Sequence, residues 1–290
     1  MFPDVEARPR RVAVGTFDGV HRGHREVIAG ADTVLTFDPH PTSVVKPGHE
    51  PPLLTTLERK TELVASLGVG ELVVVPFDAE FAARGPAEFV QSVLVDALGA
   101  THVSVGENFR FGNRAQGDTG LLQSDDRFET RVTPLLEVDG EIVSSSHIRG
   151  LVLGGALEYA GALLGAPFVV DGPVAHGDQR GRTLGFPTAN LVPAEGYCTP
   201  GHGVYACRAW TADGRRHAAA VNVGVRPMFE SGRGELIEAF IIDFEGDLYG
   251  EPLRLEFHRR LRGERRFADV DALVAQMASD VRETRDLMAI

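Results

Sequence analysis

Two stretches of the chain combine residue types and spacings that can do chemistry. In the first, Gly15-Thr16-Phe17-Asp18-Gly19-Val20-His21-Arg22-Gly23-His24 sets two imidazoles three residues apart behind a glycine-rich turn. On a helix, such positions project from one side. Two rings placed so can donate hydrogen bonds to a triphosphate and stabilise charge building on a departing pyrophosphate. The glycines let backbone approach a phosphate, and the start of a helix offers free N–H groups and a positive dipole end. An isolated H-x-x-H is more commonly one packed ring and one solvated ring. A zinc site would need a third ligand, and Cys198 and Cys207 form no C-x-x-C pair.

The second stretch runs from Gly177 through Arg182 and Gly185 to Pro187-Thr188-Ala189-Asn190-Leu191. Gly177, Gly181 and Gly185 can form a flap whose amides reach phosphate. Thr188 and Asn190 are two apart, so in an extended segment both side chains face one way. A hydroxyl and an amide carbonyl suit Mg²⁺, which keeps several waters and shares a nucleotide's phosphates. Taken singly, a glycine-rich run is a mobile loop and T-x-N a turn.

The first stretch must sit where a strand hands over to a helix. Val12-Ala13-Val14 is a short apolar run ending at Gly15, and a helical stretch starts near Gly23. Further strand-like runs are Thr33 to Phe37, Leu72 to Val75 and Val103 to Val105. Between them, Thr55-Thr56 is a plausible N-cap for a helix with Leu57, Leu63, Val64 and Leu67 on one face. After Gly85-Pro86, the residues Phe89, Val90, Val93, Leu94 and Leu98 recur at helical spacing. Strands alternating with helices predict an α/β half, Rossmann-like, with a parallel sheet covered on both faces and ligands at the carboxyl ends of its strands.

Near Leu164-Gly165-Ala166-Pro167 the character changes. Phe168 to Val174, Val204 to Trp210, His217 to Val223, Ile237 to Phe244 and Leu253 to Phe257 are β-prone runs without helices between them. They predict an antiparallel β-barrel or sandwich. A closing amphipathic helix is expected to bury Val270, Leu273, Val274, Met277 and Val281. The domains are therefore expected at 1–165 and 166–290.

Against 41 acidic residues stand 29 basic ones, a net charge of -12, which argues against a nucleic-acid binder working through a basic face. No segment approaches a membrane span, and the first residues hold no apolar signal region, so a cytoplasmic protein with no membrane partner is expected. Lysine occurs only as Lys46 and Lys60, neither of them in a Walker motif, so any phosphate cradle is of another kind. The composition does not set the oligomeric state.

Taken whole, the first string resembles the G-x-F-D-x-x-H-x-G-H signature of the nucleotidylyltransferases. Thr36-Phe37-Asp38-Pro39-His40-Pro41, then Val105-Gly106-Glu107-Asn108-Phe109-Arg110-Phe111-Gly112, then Ser144-Ser145-Ser146-His147-Ile148-Arg149 follow in the order of one family. That family is the bacterial bifunctional riboflavin kinase/FAD synthetase. The run around Pro187-Thr188-Ala189-Asn190 resembles its kinase signature, and Asn222-Val223-Gly224-Val225-Arg226-Pro227 and Asp247-Leu248-Tyr249-Gly250 also match.

The resemblance implies a riboflavin kinase domain that makes FMN with ATP and Mg²⁺, and an adenylyltransferase domain that joins AMP from a second ATP to FMN, giving FAD and pyrophosphate. It assigns Glu238 as the kinase base, where the residues alone leave Glu235 an equal candidate. His21 and His24 would serve adenylyl transfer, with Gly15, Thr16, Phe17, Asp18, Gly23, Asn108, Ser145, Ser146 and Arg149 around that ATP. Gly177, Arg182, Gly185, Pro187, Thr188, Asn190, Asn222 and Arg262 would bind ATP or flavin in the kinase, with Thr188 and Asn190 on the metal and Phe267 beside Arg262. Three places depart from the family pattern: the segment Arg25 to Leu35 is short, leaving about two helical turns; His147 stands where arginine is common; and Met228 stands where threonine is usual. The alternatives are a kinase with an impaired adenylyltransferase half, and a flavin-binding regulatory module without turnover.

Overall fold

The computed structural model describes residues 5–6, 8–177, 181, 184–225 and 235–288. Arg182, Arg226, Pro227 and Met228, singled out above, lie outside them. The chain divides into two compact units, Met1–Ser145 and Ser146–Ile290. The division falls earlier than the expected boundary near residue 165, because a helix that precedes the barrel in sequence packs on the barrel's strands β8 and β13, defined below.

In the first unit β1 (Arg10–Val14) leads through α1 (Arg22–Ile28) to β2 (Thr33–Asp38), then α2 (Pro41–Val45), α3 (Leu57–Ser66) and β3 (Glu71–Pro76). Next come α4 (Ala79–Ala82), α5 (Pro86–Phe89) running on as a π-helix over Val90–Ala97, and β4 (Ala100–Gly106). After α6 (Thr119–Gln123) come β5 (Glu129–Thr133) and a small hairpin of β6 (Glu137–Val138) and β7 (Glu141–Ile142). The sheet order is β3-β2-β1-β4-β5, all neighbours parallel.

Alternation along the strands covers both faces. Val12, Val14, Leu35, Val103 and Val105 pack on one side with Val90, Val93, Leu94 and Leu98. Ala13 and Val34 pack on the other with Val27, Ile28 and Val64. The short segment after His24 holds only the last turn of α1, Arg25 to Ile28, before the chain enters β2, because the helix already starts at Arg22; its seven residues make about two turns in all. Strand β5 was not anticipated: Glu-Thr-Arg-Val-Thr at a sheet edge has no fully buried position and so carries no apolar run.

The second unit begins with α7 (Ser145–Gly154), whose first residue belongs to the first unit, and α8 (Leu157–Leu164). The barrel strands are β8 (Phe168–Ala175), β9 (Ala189–Leu191), β10 (Gly203–Trp210), β11 (Arg216–Val225), β12 (Glu235–Ile241) and β13 (Pro252–Arg262). They close as β10-β11-β12-β9-β8-β13, with every pairing antiparallel. Tyr205, Cys207, Val221, Val223, Ile237, Ala239, Leu255 and Phe257 are fully buried.

Two expectations need correction. Strand β12 stops at Ile241, since Asp243 turns the chain with a φ of 56°. The C-terminal helix, Val270–Met288, packs on β10 and β11, but Val270 is 58% exposed and the buried positions are Asp280, Thr284 and Met288. The apolar stripe is offset because the helix must bury Asp280 against an arginine of β13.

Candidate active sites

In the first unit β1 and β4 are neighbours, and the chain leaves them toward opposite sides of the sheet. Such a switch point opens a crevice at the carboxyl ends of the strands. A cleft of about 1050 Å³ lies there, lined by Val14 to Phe17 after β1, Phe37 and His40 at β2, and Gly106 and Asn108 after β4. Gly15 is needed at its floor: a Cβ would meet the buried Phe17 ring at 3.0–3.3 Å. The turn that follows holds Phe17 and Val20 at φ of 48° and 41°, with Gly19 at 85°.

His21 is the N-cap of α1, and its Nδ1 accepts the backbone N–H of His24 at 3.2 Å. That bond puts the proton of a neutral His21 ring on Nε2, leaving a donor. The two rings stack at 3.5 Å between centroids. His24 lines the cleft, and its Nδ1 is buried without a hydrogen-bond partner. The helix supplies less than expected, because it is only seven residues long and one of its first amides is already taken.

Burial lowers both imidazoles: His21 to about 4, with Arg25 adding to the effect, and His24 well below 6.5, helped by His21 and the buried Lys60. Both are neutral at pH 7. The unfolded chain therefore binds more protons than the folded one between about pH 4 and 6.5, and stability rises with pH there. His21's contribution, about 3 kcal/mol at most, is complete above pH 6.5 and lost as pH falls through about 4. In a His21→Asn variant, which keeps a capping side chain, unfolding titrations from pH 4 to 7 should lose that part of the slope. An unchanged slope would show the ring to be normally basic.

Other expected residues take distinct places. Asp18 does not line the cleft; it is buried, and its Oδ1 accepts the amides of Leu54 at 2.8 Å and Thr55 at 3.3 Å. Its backbone carbonyl accepts the Ser145 hydroxyl at 2.9 Å. An anion facing phosphate would repel it, so Asp18 and Ser145 act by shaping the loop. The carbonyl of Thr16 receives both Lys60 Nζ at 2.8 Å and Thr36 Oγ1 at 3.0 Å. Sequence reasoning passed over this lysine, whose only signal was its rarity. It also passed over Phe77 and Phe81, which with Phe109 and Phe111 form an aromatic wall in the cleft, and Lys46, Arg84 and Arg114 at its rim. Ser146 and Arg149 belong to the second unit, where the ring of His147 meets Tyr159 edge-on at 6.0 Å.

In the barrel, register assembles the second site. Glu238 of β12 lies opposite Asn190 of β9 on one side and Asn222 of β11 on the other, giving a polar row across three strands. Glu235 lies opposite Val225 instead. Ile237 and Ala239 point into the core, so Glu238 stands on the outer face, half-buried, with Asn222 Nδ2 at 3.5 Å from its Oε2. Gly177, Gly181 and Gly185 belong to the β8–β9 connection, and the first two lie against this row and the residues beside it. A Cβ on Gly177 would overlap the Asn190 amide, and one on Gly181 would overlap the Phe186 carbonyl and come within 3.5 Å of Thr188 Oγ1. Gly185 takes a φ of 84°, in the left-handed region, before Pro187. Rings hold both ends of the connection: His176 stacks on Tyr249 at 3.9 Å, and Phe186 meets Phe240 at 5.2 Å.

Arg262 is not free to reach a ligand. Its guanidinium grips Asp280 of the C-terminal helix at 2.8–3.1 Å and lies 5.7 Å from the Phe267 ring centre. Both partners are nearly buried, so the pair fastens the helix to the end of β13. Sequence reading found the arginine but could not see the aspartate eighteen residues on as its partner.

Comparison with known proteins agrees with both halves. The FAD synthetase family model matches residues 4–147 and the riboflavin kinase model matches residues 164–288. Curated proteins named bifunctional riboflavin kinase/FMN adenylyltransferase are similar almost end to end. That of Listeria monocytogenes is 38% identical over 96% of this chain and 92% of its own length, and that of Bacillus subtilis 37% over 94% and 90%. The Escherichia coli K12 protein is 35% identical over 96% and 93%. A crystal structure from Streptococcus pneumoniae, named a macrolide-efflux protein, superposes with a TM-score of 0.88 at 31% identity, covering 97% of this chain and 96% of that one. Among the described residues no helix is long and apolar enough to cross a membrane. With two family models in tandem and full-length relatives above 30% identity, the chain belongs to the bifunctional riboflavin kinase/FMN adenylyltransferase family.

Proposed function

We propose that the chain makes FAD in two ATP-dependent steps, with the chemistry divided between its units. The barrel, within residues 166–290, phosphorylates riboflavin to FMN. Glu238 accepts the proton of the ribityl 5′-hydroxyl as that oxygen bonds to the γ-phosphorus and ADP departs. Asn222 orients the carboxylate, and the amides of Gly177, Gly181 and Gly185 serve the phosphates. The oxygen donors of Thr188 and Asn190 fit Mg²⁺, because the glycine backbone leaves the Asn190 amide a cradle that a side chain would fill. Bound there, Mg²⁺ would neutralise charge on the nucleotide's phosphates.

The first unit then adenylylates FMN. An FMN phosphate oxygen attacks the α-phosphorus of a second ATP, and pyrophosphate leaves as Nε2–H of His21 and the His24 ring donate to its oxygens. Phe77, Phe81, Phe109 and Phe111 offer the cleft's flat apolar surface to a flavin ring. Asn108 and the amide of Thr16 line the cleft where phosphate would lie, with Arg110, paired to Asp118 at 3.2 Å, beside them. The enzyme is proposed to work in the cytoplasm, where ATP and free flavins meet.

The observation that carries this reading is that His24 and the turn after β1 line a cleft in the first unit, while Asn190, Glu238 and Asn222 form a separate polar row in the second. The shortened 25–35 segment favours a lone kinase only if it removes α1 or β2, and it removes neither. The test is turnover with riboflavin and, separately, with FMN, products being resolved by chromatography. FMN from the first and FAD from both are expected. FMN as the sole product would leave a kinase alone, and bound flavin without turnover would leave a regulatory module.

A further inference from the structure

The helix that carries the histidine pair is too short to hold its own position. Seven residues make about two turns, and isolated helices of that length are marginal in water. At the end away from the histidines, its carbonyls point at two strands. Arg131 Nη2 of β5 lies 3.0 Å from Glu26 O, 2.8 Å from Val27 O and 2.8 Å from Ala29 O. Ser104 of β4 donates its hydroxyl to Val27 O at 2.7 Å and receives Arg131 Nε at 3.1 Å. A guanidinium across the last carbonyls also complements the negative end of the peptide dipoles.

We propose that Arg131, with Ser104, is a positioning residue for adenylyl transfer: it clamps the C-terminal end of α1 to the sheet and so fixes where His24, with the His21 ring stacked behind it, faces the cleft. Among the described residues, Arg131 and Ser104 are the side chains that bond the last carbonyls of this segment. Val27 and Ile28 pack into the core, and Arg25 bonds Val20 O at 3.2 Å within the same segment. Transfer reactions are sensitive to position, with a 1 Å misplacement costing about a hundredfold. The inference rests on the proposed adenylyl-transfer role of the histidine pair.

The test compares Arg131→Ala, Arg131→Lys and Ser104→Ala in the full chain, measuring FAD formed from supplied FMN and FMN formed from riboflavin. For Arg131→Ala, kcat of adenylylation should fall about a hundredfold, with KM for FMN and ATP and the kinase rate unchanged. Lysine should recover part of the loss, since an ammonium donates to carbonyls without the planar fork. Ser104→Ala should lose less, in the same direction. A cavity of about 310 Å³ bordered by Ala29, Ser104 and Arg131 gives a small cation access, so added guanidinium should raise turnover of the alanine variant. Wild-type kcat in Arg131→Ala, or a loss shared equally by the kinase, would overturn the inference. A His24→Asn control separates the two readings. If it is inactive in adenylylation while Arg131→Ala is active, only the clamp fails; if it is active, the histidine site fails and the clamp with it.

Discussion

Replacing Glu238 with glutamine should lower riboflavin phosphorylation by about 10²- to 10⁴-fold, the range for loss of a general base. Glutamine keeps the volume and the cross-strand position but cannot take the proton of the attacking hydroxyl. The row Asn190–Glu238–Asn222 is set by backbone register, so the substitution leaves its neighbours in place. KM for riboflavin should change little, because the carboxylate acts on the reacting oxygen more than on the ring. Adenylylation of supplied FMN should continue at the wild-type rate, which also shows that the protein is folded. Kinase turnover near normal in Glu238→Gln would refute the assignment. A parallel loss of both activities would point to damage to the fold.

The second large effect is the mirror of the first. A His24→Asn variant should lose adenylylation by about 10²- to 10³-fold, as when one preorganised donor to a developing anion is removed, while its kinase rate is unchanged. The cap of α1 survives, since His21 Nδ1 takes the backbone N–H of residue 24 and not its side chain. What is lost is a ring stacked on His21 at 3.5 Å and facing the cleft. Pyrophosphate release measured with FMN in excess reads the step directly. If FAD still forms at full rate, the departing charge is stabilised elsewhere, and the cationic rim of Lys46, Arg84, Arg110 and Arg114 becomes the place to look.

Much of this was legible along the chain because it is local. A strand covered on both faces reads as a run such as Val12 to Val14, and the helix over 86–97 shows its buried face at 89, 90, 93 and 94. The two motif strings sit on single turns or connections, where glycine widens and proline limits the backbone's choices, so the place of the first at β1–α1 and of the second after β8 followed from order alone. Edge strand β5 and three-residue β9 did not, since neither is long or apolar enough to leave a period.

What only the tertiary structure decided is which polar groups meet. A charged side chain's partner depends on register and packing between segments far apart in sequence, and composition holds no record of that. Asp18 turned from a ligand contact into a brace for the loop at Leu54 and Thr55, and Arg262 into one half of a buried pair with Asp280. Glu238 was separated from Glu235 only by the ladder that sets it between two asparagines. Local spacing settled where each nucleotide motif lies, whereas long-range burial settled the protonation of its histidines and the bracing of the helix that bears them.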